Sequence, residues 1–264
     1  MTGALNLGTG PTGAQVRLYR QIEAEAVTRS KSVIHKLESW LQLEAPEDIP
    51  LMIQRAIVHF VEATAARFGF TNRPPLMITI LAHEVNAPWA VGRSGYFVQK
   101  SNFGKICIPL AALSDPRELE AVISHEYAHQ IVSDLTAGLA PRWLNEAFAT
   151  LAEDGLRQAP VRPASLRRGA WRNEHELESA FSASENDGPG RYVLHEAYEQ
   201  SRWLGRYLRA VKGDAGFTRL LTGFTNNSRW RDIKMRLTGQ EPVDEALKET
   251  YGFGVSELFR RAGG

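Results

Sequence analysis

The sequence predicts an α+β fold that is mainly helical, with N-terminal helices, a small mixed sheet, a central helix pair and a helical C-terminal part. Apolar residues recur every three to four positions over most of the chain. Short apolar, β-branched runs between turn residues are concentrated around residues 76–109. The length of 264 residues and the hydrophobic share of 43% suit one large globular domain or two small ones.

The N-terminal part is predicted to be a tail followed by two helices. Residues 1–13 are rich in Gly and Thr and are expected to be disordered. From Ala14 to about Leu43 the apolar spacing predicts one helix, which the segment from Pro46 to Pro50 ends. A second helix, from about Ile53 to Phe68, is expected to stop at Gly69.

Three short strands are predicted next. Residues 77–81 form a mostly apolar run with one threonine, and residues 95–99 and 105–109 are separated by a turn at 101–104. A hairpin within a small sheet is therefore expected.

The central helix pair has the clearest boundaries in the chain. Asp115 suits the N-cap, and Pro116 suits the first position of a helix that runs to about Asp134. Residues 136–140, which include a glycine, are expected to form a loop, and residues 141–156 a second helix.

The remaining organisation is predicted from proline, glycine and charge. Residues 14–157 are expected to hold the helical pair, the sheet and the central helices. Residues 158–189 carry three prolines and many charges and are predicted to be a loop excursion with some helix at 174–181. Residues 190–264 are expected to form a C-terminal helical subdomain in pieces, broken at Gly213, Gly223, Gly239, Pro242, Gly252 and Gly254.

Composition excludes several partners. The net charge of +1 gives no reason to expect nucleic acid, and no apolar run is long enough for a membrane-spanning helix. The single cysteine, Cys107, cannot form an intrachain disulfide and is expected to be a buried, inert thiol. Residues 1–13 lack signal-peptide features, so a cytoplasmic protein is expected, or an extracytoplasmic one if a leader was removed.

An H-E-x-x-H motif lies on the first central helix, formed by His125, Glu126 and His129. Positions four apart on a helix share one face, so both imidazoles can bind one small cation. Glu126 lies at the edge of that face, where it can take a proton from water instead of binding the metal. The motif predicts a site for one Zn²⁺ ion, with Glu126 as general base.

A third ligand is expected from the second central helix. His129 and Glu146 each lie about five residues from the predicted loop between the helices, so an antiparallel pair brings them to a similar height. Glu153 lies two turns beyond Glu146 on the same face. It is a candidate hydrogen-bond partner for His129 or His125, the alternative being simple exposure to solvent.

With these residues the chain resembles the gluzincin metallopeptidases. The resemblance rests on the H-E-x-x-H motif, followed after sixteen residues by Glu146 within W-L-N-E-A-F-A, which is similar to the W-L-N-E-x-F-A segment of this clan's aminopeptidases. The interval is two residues shorter than theirs and closer to that of compact peptidase MA-like domains. The resemblance covers roughly residues 76–262 and is specific around 121–153. It implies a zincin-like fold and hydrolysis of peptide bonds.

The resemblance implies further roles. In the family a tyrosine on a later helix stabilises the oxyanion, and Tyr198 within Y-E-Q-S matches that pattern. His195 and Tyr192 are rivals, and a structural role for all three is another alternative. The family holds extended peptide on an edge strand, a position that residues 95–97 suit as well as they suit a plain hairpin. The aminopeptidase motif G-x-M-E-N has no match in the sequence, which favours endopeptidase action.

The sequence therefore predicts zinc-dependent cleavage of a peptide or protein substrate. Two other classes stay open: a non-catalytic zinc-bound binding or regulatory module, and a helical interaction protein with a coincidental motif. The presence of Glu126 favours the enzyme, because a purely structural metal site needs no base.

Overall fold

The computed structural model describes residues 33–46, 48–81, 95–99, 103–154, 166, 171–181, 188–225 and 242–263. Over these residues the protein is mainly helical with a five-stranded mixed sheet, so the α+β class is confirmed. The predicted tail at 1–13, the predicted helix at 14–32, most of the excursion at 158–189 and Gly239 lie outside the described residues.

The described elements follow one another along the chain with a single 3₁₀ helix, Leu110–Ser114, between the last strand and the second helix. The strands and helices are β1 (Val33–Lys36), β2 (Leu41–Ala45), α1 (Leu51–Arg67), β3 (Leu76–Leu81), β4 (Tyr96–Gln99), β5 (Gly104–Pro109), α2 (Pro116–Thr136), α3 (Arg142–Asp154), α4 (Glu174–Ala180), α5 (Gly188–Thr222), α6 (Pro242–Tyr251) and α7 (Val255–Gly263).

The chain divides into two compact units. The sheet unit comprises residues 11–131 and 152–156, and the helical unit comprises residues 1–10, 132–151 and 157–264. In the sheet unit the strand order is β1-β2-β3-β5-β4. The inner pairs β2–β3 and β3–β5 are parallel, and the outer pairs β1–β2 and β4–β5 are antiparallel. The predicted hairpin strands β4 and β5 are therefore adjacent, and β4 is an edge strand of the described sheet.

The prediction of one helix from Ala14 to about Leu43 is wrong over its described part. Residues 33–36 and 41–45 are instead the antiparallel strands β1 and β2. The side chains of β2 alternate, with Leu41, Leu43 and Ala45 almost fully buried. A period of two fits a strand with one face in the core, and pairing with β3 overrides the helical spacing of the longer window.

The helix α1 was predicted correctly, including its stop. Gly69 has a φ of 63°, which a residue with a side chain rarely adopts, and the N–H of Phe70 donates to the carbonyl of Ala65 at 2.8 Å. Within the buried face, the Thr64 hydroxyl donates to the carbonyl of Phe60 at 2.8 Å, and its oxygen lies within hydrogen-bond distance of Ser124 Oγ, at 3.0 Å. The second of these bonds attaches α1 to α2, one residue before His125.

The loop between α2 and α3 also matches its prediction. The Asp115 carboxylate accepts a hydrogen bond from the N–H of Arg117 at 2.8 Å and so caps the start of α2. At its other end, Ala137 and Gly138 have φ values of 51° and 74°, which reverse the chain within a few residues. The carbonyl of Pro141 then accepts the first bonds of α3.

In the helical unit, α3 and α5 pack closely together. A Cβ on Gly205 would lie 2.7 Å from the carbonyl oxygen of Ala147, so only glycine allows this approach. The ring of Phe148 packs against Phe217 with centroids 5.4 Å apart. The predicted break at Gly213 is present, with a φ of 68° inside α5.

The junction of α6 and α7 depends on one carboxylate. Asp244 accepts a hydrogen bond from the N–H of Val255 at 2.9 Å and pairs with Lys248 at 2.6 Å. Burial raises the pKa of Asp244, but the bonds from Lys248 and Val255 outweigh it, and the pKa lies below the ordinary value of 3.8. Asp244 Oδ1 also occupies the place where a Cβ on Gly254 would project.

Replacing Asp244 with Asn is expected to lower the free energy of unfolding by about 1 kcal/mol at pH 7. A carboxyl with a lowered pKa stabilises the fold above its ordinary pKa, and this stabilisation is lost as the pH falls through the folded-state pKa. The difference between variant and wild type should therefore shrink below pH 3.8. Urea unfolding at pH 7 and below pH 3.8 measures the difference in the free energy of unfolding between variant and wild type. Glu249→Gln, on the same helix, is the charge-matched control. Equal stabilities at pH 7 would contradict the prediction.

Candidate metal centre

The two histidines of the motif lie on α2 and share one face. His125 is 3% exposed and His129 is 9% exposed, so both are buried among the residues of the helix core. Their ring centroids lie 4.9 Å apart, with the ring planes at 82°. This is the arrangement expected of helix positions i and i+4, and it places two imidazoles next to each other.

The third predicted ligand joins them from α3. Glu146, 9% exposed, offers a carboxylate oxygen to the same group, and the ligand atoms of His125, His129 and Glu146 all lie within 4.8 Å of one another. The structure therefore brings together the three residues that the motif and the spacing predict. Among the described residues this is the group that could hold a metal ion.

The donor set fits a divalent cation with imidazole and carboxylate ligands. Zinc binds such nitrogen and oxygen atoms at about 2.0–2.2 Å, and a tetrahedral site with three protein ligands keeps one position open. Ligand atoms around one ion at those bond lengths lie about 3.3–3.6 Å apart. The separations here are at most 4.8 Å, so binding one ion at those bond lengths would bring the ligand atoms closer together.

Glu153 lies against His125, as one of its two predicted roles requires. Its Oε2 is 3.2 Å from Nδ1 of His125. A carboxylate at this distance fixes the tautomer with the proton on Nδ1, which leaves the lone pair of Nε2 for a metal. Glu153 thus orients the ring of one candidate ligand. The sequence left His125 and His129 as alternative partners of Glu153, and the structure identifies His125 as the partner.

The contact of Phe97 with His129 was not predicted. The aromatic ring of Phe97, on the edge strand β4, stacks on the His129 ring with centroids 6.4 Å apart and planes at 28°. Gly104 of β5 and Gln130 of α2 also lie close together. A Cβ on Gly104 would collide with the side-chain oxygen of Gln130. The sequence carries no local signal for either contact, since both depend on how α2 crosses the sheet.

The remaining candidate residues lie as follows. Glu126 is buried, at 3% exposure, between the two histidines in sequence. The ring of Tyr198, on α5, packs edge-to-face on Phe181 with centroids 5.4 Å apart. Its rivals on the same helix, Tyr192 and His195, are both exposed. The role of Tyr198 as oxyanion donor stays a prediction.

No protein-family model matches this chain, and no curated protein matches it. Among the described residues no helix is long and apolar enough to span a membrane. The functional assignment therefore depends on the chemistry of the site.

Glu153→Ala is expected to weaken zinc binding by about 10- to 100-fold, the range for a residue that orients a metal ligand. Glu153→Gln should have a smaller effect, because its amide oxygen can still accept the proton of His125 Nδ1. Competition with a chelator of known affinity measures both. Glu120→Gln, an exposed change on α2, is the control. Wild-type affinity in Glu153→Ala would contradict the positioning role.

Proposed function

We propose that the protein is a zinc-dependent peptidase of the gluzincin type, with a zincin-like fold. The observation that carries the proposal is the buried group of His125, His129 and Glu146, with the acidic Glu126 next to the first histidine. A structural zinc site is usually closed by four protein ligands, whereas three ligands and a nearby carboxylate are the pattern of a hydrolytic site.

Zinc at such a site supplies Lewis-acid chemistry, which polarises a carbonyl and lowers the pKa of water towards neutrality. Glu126 acts as the general base: its carboxylate takes a proton from the attacking water and returns it to the nitrogen of the leaving amine. Glu126 is buried, so its carboxylate is shielded from bulk water. Electrostatic interactions of a carboxylate are stronger in the protein interior than in bulk water. No side chain of the chain is proposed to form a covalent intermediate.

Tyr198 is proposed to donate a hydrogen bond to the oxyanion of the tetrahedral intermediate. The edge-to-face contact with Phe181 restricts its ring, which favours a fixed direction for the hydroxyl group. Tyr198→Phe removes only that hydroxyl and is expected to lower kcat by about 10²-fold with little change in KM. Steady-state kinetics measure this, with Tyr192→Phe as the control. A wild-type kcat in Tyr198→Phe, with loss in a His195 variant, would move the role to His195.

The substrate is proposed to be an extended peptide that pairs with the edge strand β4. A strand at the edge of a sheet can bind an extended peptide through backbone N–H and carbonyl groups, which gives affinity without strict sequence selection. β4 is at an edge of the described sheet, and its residue Phe97 contacts the ligand His129. A peptide on this strand would therefore pass beside the metal, which suits internal cleavage.

Elemental analysis for zinc, combined with cleavage-site mapping on a mixed peptide library, tests the proposal. We expect one zinc ion per chain and cleavage within peptides, away from their ends. Bound zinc without turnover on any peptide would indicate a binding or regulatory module instead. No bound metal, and a fold unaffected by chelators, would indicate a helical interaction protein with a coincidental motif.

A further inference from the structure

The side chain of the residue before α3 cannot cap the first turn of this helix. A helix leaves its first N–H groups without partners inside the helix, and a Ser, Thr, Asp or Asn just before it usually accepts from them. Here the preceding residue is Pro141, whose side chain has no acceptor. Glu178 takes that place from 36 residues further along: its Oε1 accepts from the N–H of Arg142 at 2.7 Å and its Oε2 from the N–H of Trp143 at 3.3 Å.

The side chains of the same turn are also held by α4 and the residue after it. The guanidinium of Arg142 donates to the carbonyl of Phe181 at 2.8 Å and lies 5.3 Å from the centroid of its ring. The indole N–H of Trp143, which is fully buried, donates to Glu174 at 3.3 Å. Backbone and side chains of the first turn of α3 are thus bound from one short helix.

The short helix α4 is itself anchored to α5. The amide of Gln200 accepts from the N–H of Arg172 at 3.0 Å and donates to its carbonyl at 2.6 Å, just before α4 begins. Gln200 is fully buried, and Arg172 also pairs with Glu196 at 2.7 Å. These contacts explain why Gln200 of the Y-E-Q-S segment is buried. The sequence pattern predicted no role for this glutamine.

We propose that Glu178 is a positioning residue for the metal centre: as the distant cap of α3 it holds the first turn of that helix, and with it the carboxylate of Glu146. Glu146 lies four residues, about one turn, after Arg142. A first turn without its cap frays, and the carboxylate direction then varies. A metal ligand must be held closely to give high affinity. The consequence for metal binding rests on the proposed function, whereas the capping contact does not.

The experiment compares Glu178→Ala and Glu178→Gln in the full chain with Glu176→Gln as the control. Glu176 is exposed, lies two residues away on α4 and belongs to the capping box with Asn173, in which Gln can replace Glu. The control therefore removes the same charge from the same helix without touching α3. Hydrogen exchange of the Arg142 and Trp143 amides is followed by NMR in the metal-free protein. Zinc affinity is measured by chelator competition, and the visible spectrum of the Co²⁺-loaded protein reports ligand geometry.

We expect Glu178→Ala to speed hydrogen exchange of both amides and to shift the Co²⁺ spectrum. Zinc binding should weaken by about tenfold, near the lower end of the range for residues that hold a metal ligand in place. Glu178→Gln should recover part of each, and Glu176→Gln should match the wild type. Unchanged exchange in Glu178→Ala overturns the cap. Faster exchange with wild-type zinc affinity and Co²⁺ spectrum overturns the positioning role. A wild-type chain that binds no zinc overturns the proposed function and the metal part of this inference, while the exchange rates still decide the cap.

Discussion

Glu126→Gln is expected to abolish peptide cleavage while the protein keeps its zinc. The amide of Gln occupies nearly the same volume but cannot take a proton from water, so the general-base contribution of about 10²–10⁴-fold is lost. Glu126 is adjacent to His125 yet is outside the group whose ligand atoms converge, so its replacement leaves the three candidate ligands intact. The fall should appear in kcat, because the base acts in the transition state and not in substrate binding.

The measurement pairs cleavage of a library-selected peptide with elemental analysis of the same sample. Glu120→Gln, on the exposed side of the same helix, should keep both activity and metal. Undiminished cleavage in Glu126→Gln would overturn the mechanism even if zinc is present. Loss of zinc together with loss of cleavage would show that Glu126 supports metal binding, and the role of base would then have no support from this variant.

The central helix pair could be predicted from sequence because its signals are local. Asp115 and Pro116 mark one helix start, Gly138 the reversal, and the spacing of two histidines on a helix fixes their common face. The sequence alone could not decide whether Glu153 meets His125 or His129. Glu153 lies 28 residues after His125, and both histidines are on the facing helix. Geometry between two helices decides such a choice.

The error at β1 and β2 came from two periods that overlap in one window. Val33, Leu37 and Leu41 satisfy helical spacing, while Leu41, Leu43 and Ala45 satisfy the period of a strand. Pairing of β2 with β3 buries the second set completely, and such long-range pairing leaves no mark in a short window. The strand period was present in the sequence but was outweighed by the longer helical pattern.

Distant contacts around α3 could not be predicted, although one signal was available. Pro141 at a helix start has no side chain that accepts a hydrogen bond, which implies that a cap must come from elsewhere in the chain. Nothing in the sequence selects Glu178 over its acidic neighbours Glu174 and Glu176, because only the way α4 packs decides which carboxylate meets α3. The sequence thus shows that the side chain of Pro141 cannot cap α3, but it does not show that Glu178 supplies the cap.

His129→Ala is expected to remove zinc-dependent stabilisation of the fold. A ligand that binds only the native state at a free concentration of 100 times its Kd stabilises that state by about 2.7 kcal/mol. The wild type should therefore unfold at a higher temperature with zinc than with a chelator. In His129→Ala, one of the three proposed ligands is gone, and the affinity should fall by more than the roughly 100-fold upper range for residues that only orient a ligand. The zinc-dependent shift should then disappear.

The comparison of each protein with and without zinc separates metal binding from packing. His129 also stacks on Phe97, so the metal-free variant is expected to be less stable than the metal-free wild type. That loss is common to both conditions and cancels in the shift. His175→Ala, an exposed histidine on α4, should keep the full shift. An equal zinc-dependent shift in His129→Ala and wild type would mean that the ion binds elsewhere, because the converging atoms of His125 and Glu146 alone cannot hold it with the affinity of three ligands.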